Sequence, residues 1–196
     1  MARPSATAHH ILSTFLVLVA ERGLAATTTK VLAEAAGVNE VTIFRLFTDK
    51  AGVVQAAYDH FDLVGHLTMC AVAIDITSAA HVAEGLGATL RCVRDQLHMQ
   101  RALVQFGISE HQKYPQLRAE AARGPATAQR ILTEALEAAR PRLRPEVDVA
   151  TTVLSWMGFL LITTLWEQNG WLAQPGATDD AHIAALIAPL IDWQAH

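Results

Sequence analysis

An all-α fold of about nine helices is predicted for this chain of 196 residues. Alanine and leucine dominate the sequence, whereas blocks of the β-branched and aromatic residues that favour strands are scarce. Apolar residues recur at spacings of three and four along most of the chain, which is the period of an amphipathic helix. Glycine, proline and asparagine interrupt these stretches and divide the chain into successive helices.

Three helices are predicted in the first fifty residues. The first covers residues 8–22, where one apolar stripe runs at helical spacing, and Gly23 ends it because glycine adopts a left-handed backbone without strain. The second follows a short threonine-rich segment and runs to about Ala36, after which Gly37 interrupts the pattern. The third is short, covers residues 40–47 and begins after Asn39, a strong N-cap.

Six further helices are predicted beyond residue 50. The first of them begins near Lys50 and continues to about Val72. The others cover residues 78–97, 101–111, 116–139 with a break or kink at Gly124-Pro125, 146–168 and 179–194. We therefore predict an N-terminal helix-turn-helix domain over residues 1–50 and a C-terminal helical bundle over residues 51–196.

The composition is that of a globular protein, with 52% apolar and 17% charged residues. The net charge of −4 does not indicate nucleic-acid binding, but residues 1–50 carry a net charge of +1, which permits a DNA-binding N-terminus. Cys70 and Cys92 are the only cysteines, and two cysteines make no disulfide framework. We expect buried, inert, reduced thiols in a cytoplasmic protein.

Residues 149–166 carry no charge over 18 positions, which is close to the length of a membrane span. Serine, threonine and glycine lower the hydrophobicity of this stretch. A helix buried on several sides in a bundle or a dimer interface is the favoured interpretation. A membrane-associated protein is the less favoured one.

The second and third helices, joined by a tight turn, have the layout of a helix-turn-helix, whose second helix enters the DNA major groove. Val38, Ile43 and Phe47 are expected to pack the third helix onto the first two. On the opposite side of that helix, Arg45 can bond guanine O6 and N7, and Val41 can contact a thymine methyl group.

Residues 21–50 resemble the DNA-binding signature of the TetR family of transcriptional regulators. The matching features are Glu21-Arg22-Gly23, Ala26-Thr27, Ala33-Glu34-Ala35-Ala36-Gly37-Val38, and Thr42-Ile43-Phe44 followed by Phe47 and Lys50. The resemblance implies a homodimer that binds a palindromic double-stranded DNA operator. It also implies a repressor that a small molecule releases from DNA, with no enzymatic activity and no cofactor.

The resemblance also implies which residues face DNA: Thr28, Thr29, Lys30, Asn39, Glu40, Val41, Thr42, Phe44, Arg45 and Lys50. The family commonly has tyrosine at the position of Phe44, a polar residue at Leu46, and lysine or a small residue at Glu40. These departures remove groups that bond phosphate. We therefore expect fewer backbone contacts per half-site and a shallow salt dependence.

For the C-terminal domain the resemblance implies an architecture but no particular ligand. The last two helices are expected to pair with those of a second copy, and their apolar residues are Val153, Trp156, Met157, Leu160, Leu161, Leu165, Ile183, Leu186, Ile187, Leu190 and Ile191. Candidate liners of a small-molecule pocket are Met69, Cys92, His98, Met99, Phe106, Glu110, Trp156, Met157 and Phe159. The same residue types at helical spacing are equally typical of plain core.

Other kinds of site have less support in the sequence. His81 and Glu84 form a single i, i+3 pair, whereas a di-metal site in a helical bundle needs two such pairs, so no metal is expected. A redox switch at Cys70 and Cys92 lacks any neighbouring sign of an activated thiolate. The alternative function is a small-molecule-binding protein or enzyme on a helical bundle, with an N-terminal trihelix that does not bind DNA. That alternative requires a catalytic cluster, for which the sequence shows no motif.

Overall fold

The structure is a computed structural model, and it describes residues 5–110, 118–168, 170–171 and 180–194. Within these residues the regular structure is helical, apart from an isolated bridge between Leu143 and Ile191, so the predicted all-α class is confirmed. The α-helices are α1 (Ala6–Ala26), α2 (Thr29–Ala35), α3 (Glu40–Phe47), α4 (Lys50–Phe61), α5 (Leu63–Thr68), α6 (Ala79–Met99), α7 (Arg101–Glu110), α8 (Arg118–Ala139), α9 (Val149–Gln168) and α10 (Asp180–Ile187).

The helix predicted from Lys50 to about Val72 is two helices, because the chain turns at Asp62. This residue has a left-handed backbone with φ 39° and ψ 51°, and its N–H donates to the carbonyl of Tyr58 at 3.1 Å. After α5 the chain is irregular up to Ser78, the N-cap of α6. The helix does not break at Gly124-Pro125, which was one of the two predicted possibilities, because α8 continues through Pro125.

The chain divides into two compact units. Unit 1 comprises Met1–Asp62 and Ala102–Ala122, which includes α1 to α4 and nearly all of α7. Its core contains the apolar stripe predicted for the first helix, since all of these side chains are buried: Ile11, Leu12, Phe15, Leu16 and Val19. Unit 1 therefore includes α4 and nearly all of α7 together with the first three helices, and the domain boundary at residue 50 stays a prediction.

Unit 2 comprises Leu63–Arg101 and Arg123–His196, which includes α5, α6, most of α8, α9 and α10. Its core is built from apolar side chains of each of these helices, among them Leu67, Leu86, Leu90, Val93, Leu132, Leu136, Val153, Trp156, Leu160, Ile183 and Ile187. Several residues expected to form the dimer interface, Trp156 and Leu160 among them, are thus buried inside their own chain. The expectation was wrong for them, because sequence periodicity does not say which side of a uniformly apolar helix faces the core.

Cys70 and Cys92 are joined by a disulfide bond, which corrects the expectation of reduced thiols. Cys70 lies two residues after the end of α5, Cys92 lies within α6, and their Cα atoms are 5.4 Å apart. Both belong to unit 2. The sequence separation of 22 residues does not reveal the pairing, because it depends on the end of α5 packing beside α6.

Val149–Glu167 in α9 is, among the described residues, the segment long and apolar enough to cross a membrane. Its length and composition are weak evidence for a span, because core helices of soluble proteins share them. One side of α9 contributes Val153, Trp156 and Leu160 to the core of unit 2. Only 33% of the segment is buried within the chain, so α9 also has an uncovered apolar side.

Candidate nucleic-acid interface

The turn between α2 and α3 is built by local capping interactions. The Thr28 hydroxyl accepts a hydrogen bond from the N–H of Val31 at 3.2 Å and begins α2. The chain then reverses at Gly37, whose φ of 64° favours glycine. The Asn39 side chain accepts from the N–H of Val41 at 2.9 Å and begins α3. These contacts form a helix-turn-helix from residues close in sequence.

The two sides of α3 differ sharply in burial. Ile43 and Phe47 are buried in unit 1, as predicted, and Val38 is half-buried. The opposite side presents Val41, which is 69% exposed, and Phe44, which is 48% exposed. Arg45 and Leu46 are exposed beside them. The exposed side of α3 therefore presents one cation, Arg45, surrounded by apolar side chains.

The remaining predicted DNA-facing residues lie at the starts of α2 and α3. Thr28, Lys30 and Asn39 are exposed, and Thr29, Glu40 and Thr42 are half-buried. The Thr29 hydroxyl donates to Glu40 Oε1 at 2.7 Å and so links the first turns of the two helices.

This bond holds the Glu40 carboxylate at the N-terminus of α3, where the helix dipole favours a negative charge. The Glu40 carboxylate is on the same short helix as Arg45. Its negative charge opposes the approach of DNA phosphate to that helix.

Lys50 has an intramolecular role that sequence reasoning missed. Its ammonium group donates to the backbone carbonyls of Leu24 and Ala25 at the C-terminal end of α1. Burial lowers the pKa of Lys50, and the nearby Glu110 carboxylate opposes this shift. A contact of Lys50 with DNA phosphate stays a prediction, whereas its attachment to the end of α1 is part of the structure.

Helix α7 contributes to the core beneath the helix-turn-helix. The Phe106 ring lies 5.9 Å from the Phe15 ring of α1 and 5.7 Å from the Tyr58 ring of α4, measured between centroids. Burial, together with the charge of Glu120, raises the pKa of Tyr58 to about 12. The buried Glu110 carboxylate lies against Gly23, since a Cβ atom there would be 3.4 Å from Glu110 Oε1.

The nine candidate pocket residues are divided between the two units, and their role in ligand binding stays a prediction. Phe106 and Glu110 belong to unit 1. In unit 2, Trp156 is buried, Met157 and Phe159 pack partly against the core, and Cys92 is disulfide-bonded. Met69, His98 and Met99 are exposed, and His98 Nδ1 lies 3.2 Å from Glu167 Oε2.

Two polar residues at the C-terminal end of α6 were not anticipated. The Oε1 atoms of Gln96 and of the C-cap residue Gln100 are buried, and neither accepts a hydrogen bond from the residues that the structure describes. The Gln100 amide nitrogen lies 2.6 Å from His66 Nδ1 and donates to it. Glutamines four residues apart near the end of an amphipathic helix are the signal that sequence reasoning could have used.

No metal centre is formed by the residues that the structure describes, because no three His, Cys, Asp or Glu side chains come together. His81 instead contacts Asp75, with 3.1 Å between Nδ1 and Oδ2, and the Thr77 hydroxyl at 2.9 Å.

Residues 11–57 match the family described as bacterial regulatory proteins, tetR family. This N-terminal segment is similar to that of the TetR family. The matched residues cover most of α1, all of α2 and α3, and part of α4, which is the helix-turn-helix whose geometry is given above. The match to bacterial regulatory proteins is consistent with the predicted function of a DNA-binding transcriptional regulator.

The fold is also similar to those of solved regulators. The ketosteroid transcriptional regulator KstR2 of Mycobacterium tuberculosis is 17% identical, with a TM-score of 0.75 over 96% of this chain and 97% of that one. A regulatory protein of the tetR family from Rhodococcus RHA1 is 16% identical, with a TM-score of 0.75 over 95% and 98%. The fatty acid degradation regulator FadR from Bacillus halodurans is 19% identical, with a TM-score of 0.70 over 95% and 96%.

At such low sequence identity, the similarity to these structures shows only that the fold is shared. None of the curated protein sequences matches this chain.

Proposed function

We propose that this chain is a TetR-family repressor that binds a palindromic operator as a homodimer in the cytoplasm and is released by a small molecule. The exposed side of α3 is the observation that carries the proposal. A recognition helix must be packed on one side and must present base-reading side chains on the other. Ile43 and Phe47 meet the first requirement, and Val41, Phe44 and Arg45 meet the second.

The chemistry of α3 favours particular base contacts. Arg45 can donate two hydrogen bonds to O6 and N7 of one guanine. The exposed apolar side chains of Val41 and Phe44 suit thymine methyl groups. We therefore propose half-sites that contain a guanine flanked by thymines.

The charge around this surface supports weak attraction to the DNA backbone. Lys30 and Arg45 are exposed cations, whereas the Lys50 ammonium group is bonded to backbone carbonyls of α1. Glu40 adds a negative charge. With Arg45 assigned to a guanine, about one cation per chain faces phosphate, and the affinity of a dimer would fall with about the second power of the salt concentration.

The uncovered side of α9 supports the homodimer. Exposed residues recur along it at spacings of three and four: Thr151, Leu154, Ser155, Gly158, Ile162 and Trp166. Exposed alanines of α10, Ala181, Ala184 and Ala185, lie on the next helix of the same unit. In a dimer with two-fold symmetry, these residues would pack against the same residues of the second chain. This contact would bury apolar surface on both chains.

The buried glutamine oxygens at the C-terminal end of α6 support a ligand with a hydrogen-bond donor. Buried acceptors without a partner cost free energy, so a donor from a bound molecule would compensate Gln96 and Gln100. The core around α6 is apolar. Two proteins of similar fold are named for ketosteroids and fatty acid degradation. We propose an apolar effector that bears a hydroxyl or amide donor.

Selection of bound duplexes from a random DNA pool tests the proposed function. Purified protein at near-physiological salt should enrich a palindrome whose half-sites contain the expected guanine. A sample denatured and refolded without ligand serves as the control for a co-purified effector. No enrichment by either sample would contradict the proposal.

A further inference from the structure

We propose that Cys70 and Cys92 are a reversible oxidation site, at which hydrogen peroxide converts two thiols into the disulfide present in the structure. Glutathione and thioredoxin keep cytoplasmic thiols reduced, so a disulfide there is usually catalytic or redox-sensing rather than structural. This part of the inference rests on the proposed cytoplasmic function. The bond itself lies inside unit 2.

The two sulfur atoms differ in access to solvent. Cys70 is 1% exposed and belongs to the core, with its Sγ 3.8 Å from the carbonyl oxygen of His66. Cys92 is half-buried at the edge of that core. Oxidation of a thiol follows its exposure, so Cys92 reacts first with peroxide and Cys70 is the resolving residue.

The chemistry proceeds in two steps. The Cys92 thiolate attacks one peroxide oxygen, which forms an S–O bond, breaks the O–O bond, and yields a sulfenic acid and one water after protonation. The Cys70 sulfur then attacks the Cys92 sulfur, which forms the S–S bond, breaks the S–O bond and releases a second water. Two thiols thereby lose two electrons to one peroxide molecule, and a dithiol reductant reverses the reaction by exchange.

The disulfide joins the region after α5 to the middle of α6. A second link lies close by, since the amide of Gln100, the C-cap residue of α6, donates to His66 of α5 at 2.6 Å. Between the two cysteines, Ile74 lies against Gly85, and Arg142 donates to the carbonyl of Ile76 at 3.0 Å. Reduction removes the covalent link and leaves α5 held by the weaker contacts.

The oxidation state is expected to reach the DNA-binding helices through the chain itself. Asp62 alone separates α5 from α4, and α4 begins three residues after α3 ends. A change in how α5 is held on α6 therefore acts on an element directly connected to the helix-turn-helix. We expect operator affinity to differ about fivefold or more between the two states.

The first experiment measures oxidation of full-length protein by peroxide, with alkylation and mass spectrometry as the readout. Reduced wild-type protein should form the Cys70–Cys92 bond, and dithiothreitol should restore both thiols under native conditions. Cys70→Ser should trap a sulfenic acid on Cys92 that reacts with dimedone, whereas Cys92→Ser should give little adduct on the buried Cys70. Equal adducts in both variants, no reaction in wild type, or a bond that resists native reduction would each overturn the proposal.

The second experiment measures binding of oxidised and reduced protein to the duplex recovered by selection. The double variant Cys70→Ala, Cys92→Ala, checked for folding by circular dichroism, is the control that should not respond to peroxide. Equal affinities of the two wild-type states would overturn the coupling to DNA while the chemistry of the site stands. Absence of binding by either state and by the control would overturn the proposed function instead.

Discussion

Replacing Phe106 with alanine tests whether α7 is part of the core that carries the helix-turn-helix. Phe106 is 2% exposed, and its ring lies between those of Phe15 and Tyr58 at 5.9 and 5.7 Å. Deleting a buried aromatic side chain removes its transfer free energy and leaves a cavity, which together cost about 3–5 kcal/mol. This is a large part of the roughly 5–15 kcal/mol by which folded domains are stable.

The assay is urea unfolding followed by circular dichroism, combined with amide hydrogen exchange. Ile108→Ala, on the same helix but exposed, is the matched control and should change the free energy of unfolding by about 0.5 kcal/mol or less. Phe106→Ala should also speed exchange in α1 and α4, because its ring contacts both. Unchanged stability and unchanged exchange in α1 would refute the assignment of α7 to this core.

Three further substitutions test the interface, the histidine pair and the surface charge. Leu154→Glu should yield monomers in sedimentation because Leu154 is 73% exposed on the uncovered side of α9; a persistent dimer would contradict that surface as the contact. His60 lies 2.6 Å from His9, and burial and that neighbour lower its pKa, so the fold favours its neutral form. Its contribution to stability is present above the ordinary histidine pKa of about 6.5 and is lost as pH falls through the lowered value, so His60→Gln should unfold less steeply with acid than wild type. Glu40→Gln keeps an acceptor for Thr29 and should strengthen binding to any duplex at low salt, an advantage that should fade as salt screens the charge.

The helix-turn-helix could be predicted from the sequence because its determinants are local. The Thr28 and Asn39 caps and the positive φ of Gly37 act within a few residues of their own positions. The burial of Ile43 and Phe47 follows from their spacing on one short helix. Such signals require no knowledge of distant parts of the chain.

The remaining features depend on which helices pack together. The bonds from Lys50 to the end of α1, and the Glu110 carboxylate beside Gly23, join residues far apart in sequence. The Cys70–Cys92 bond has the same origin. For α9, apolar residues lie on all sides, so the sequence could not tell the buried Trp156 from the exposed Leu154.

The central claim, that α3 reads DNA bases, is tested most directly by Arg45→Ala on the duplex recovered by selection. Arg130→Ala, which removes an exposed arginine of α8, is the matched control. Binding should weaken by about 1–3 kcal/mol for Arg45→Ala, and discrimination at the guanine position should be lost, while the control binds as wild type. Unchanged affinity and unchanged base preference in Arg45→Ala would contradict the orientation of α3 on which the account depends.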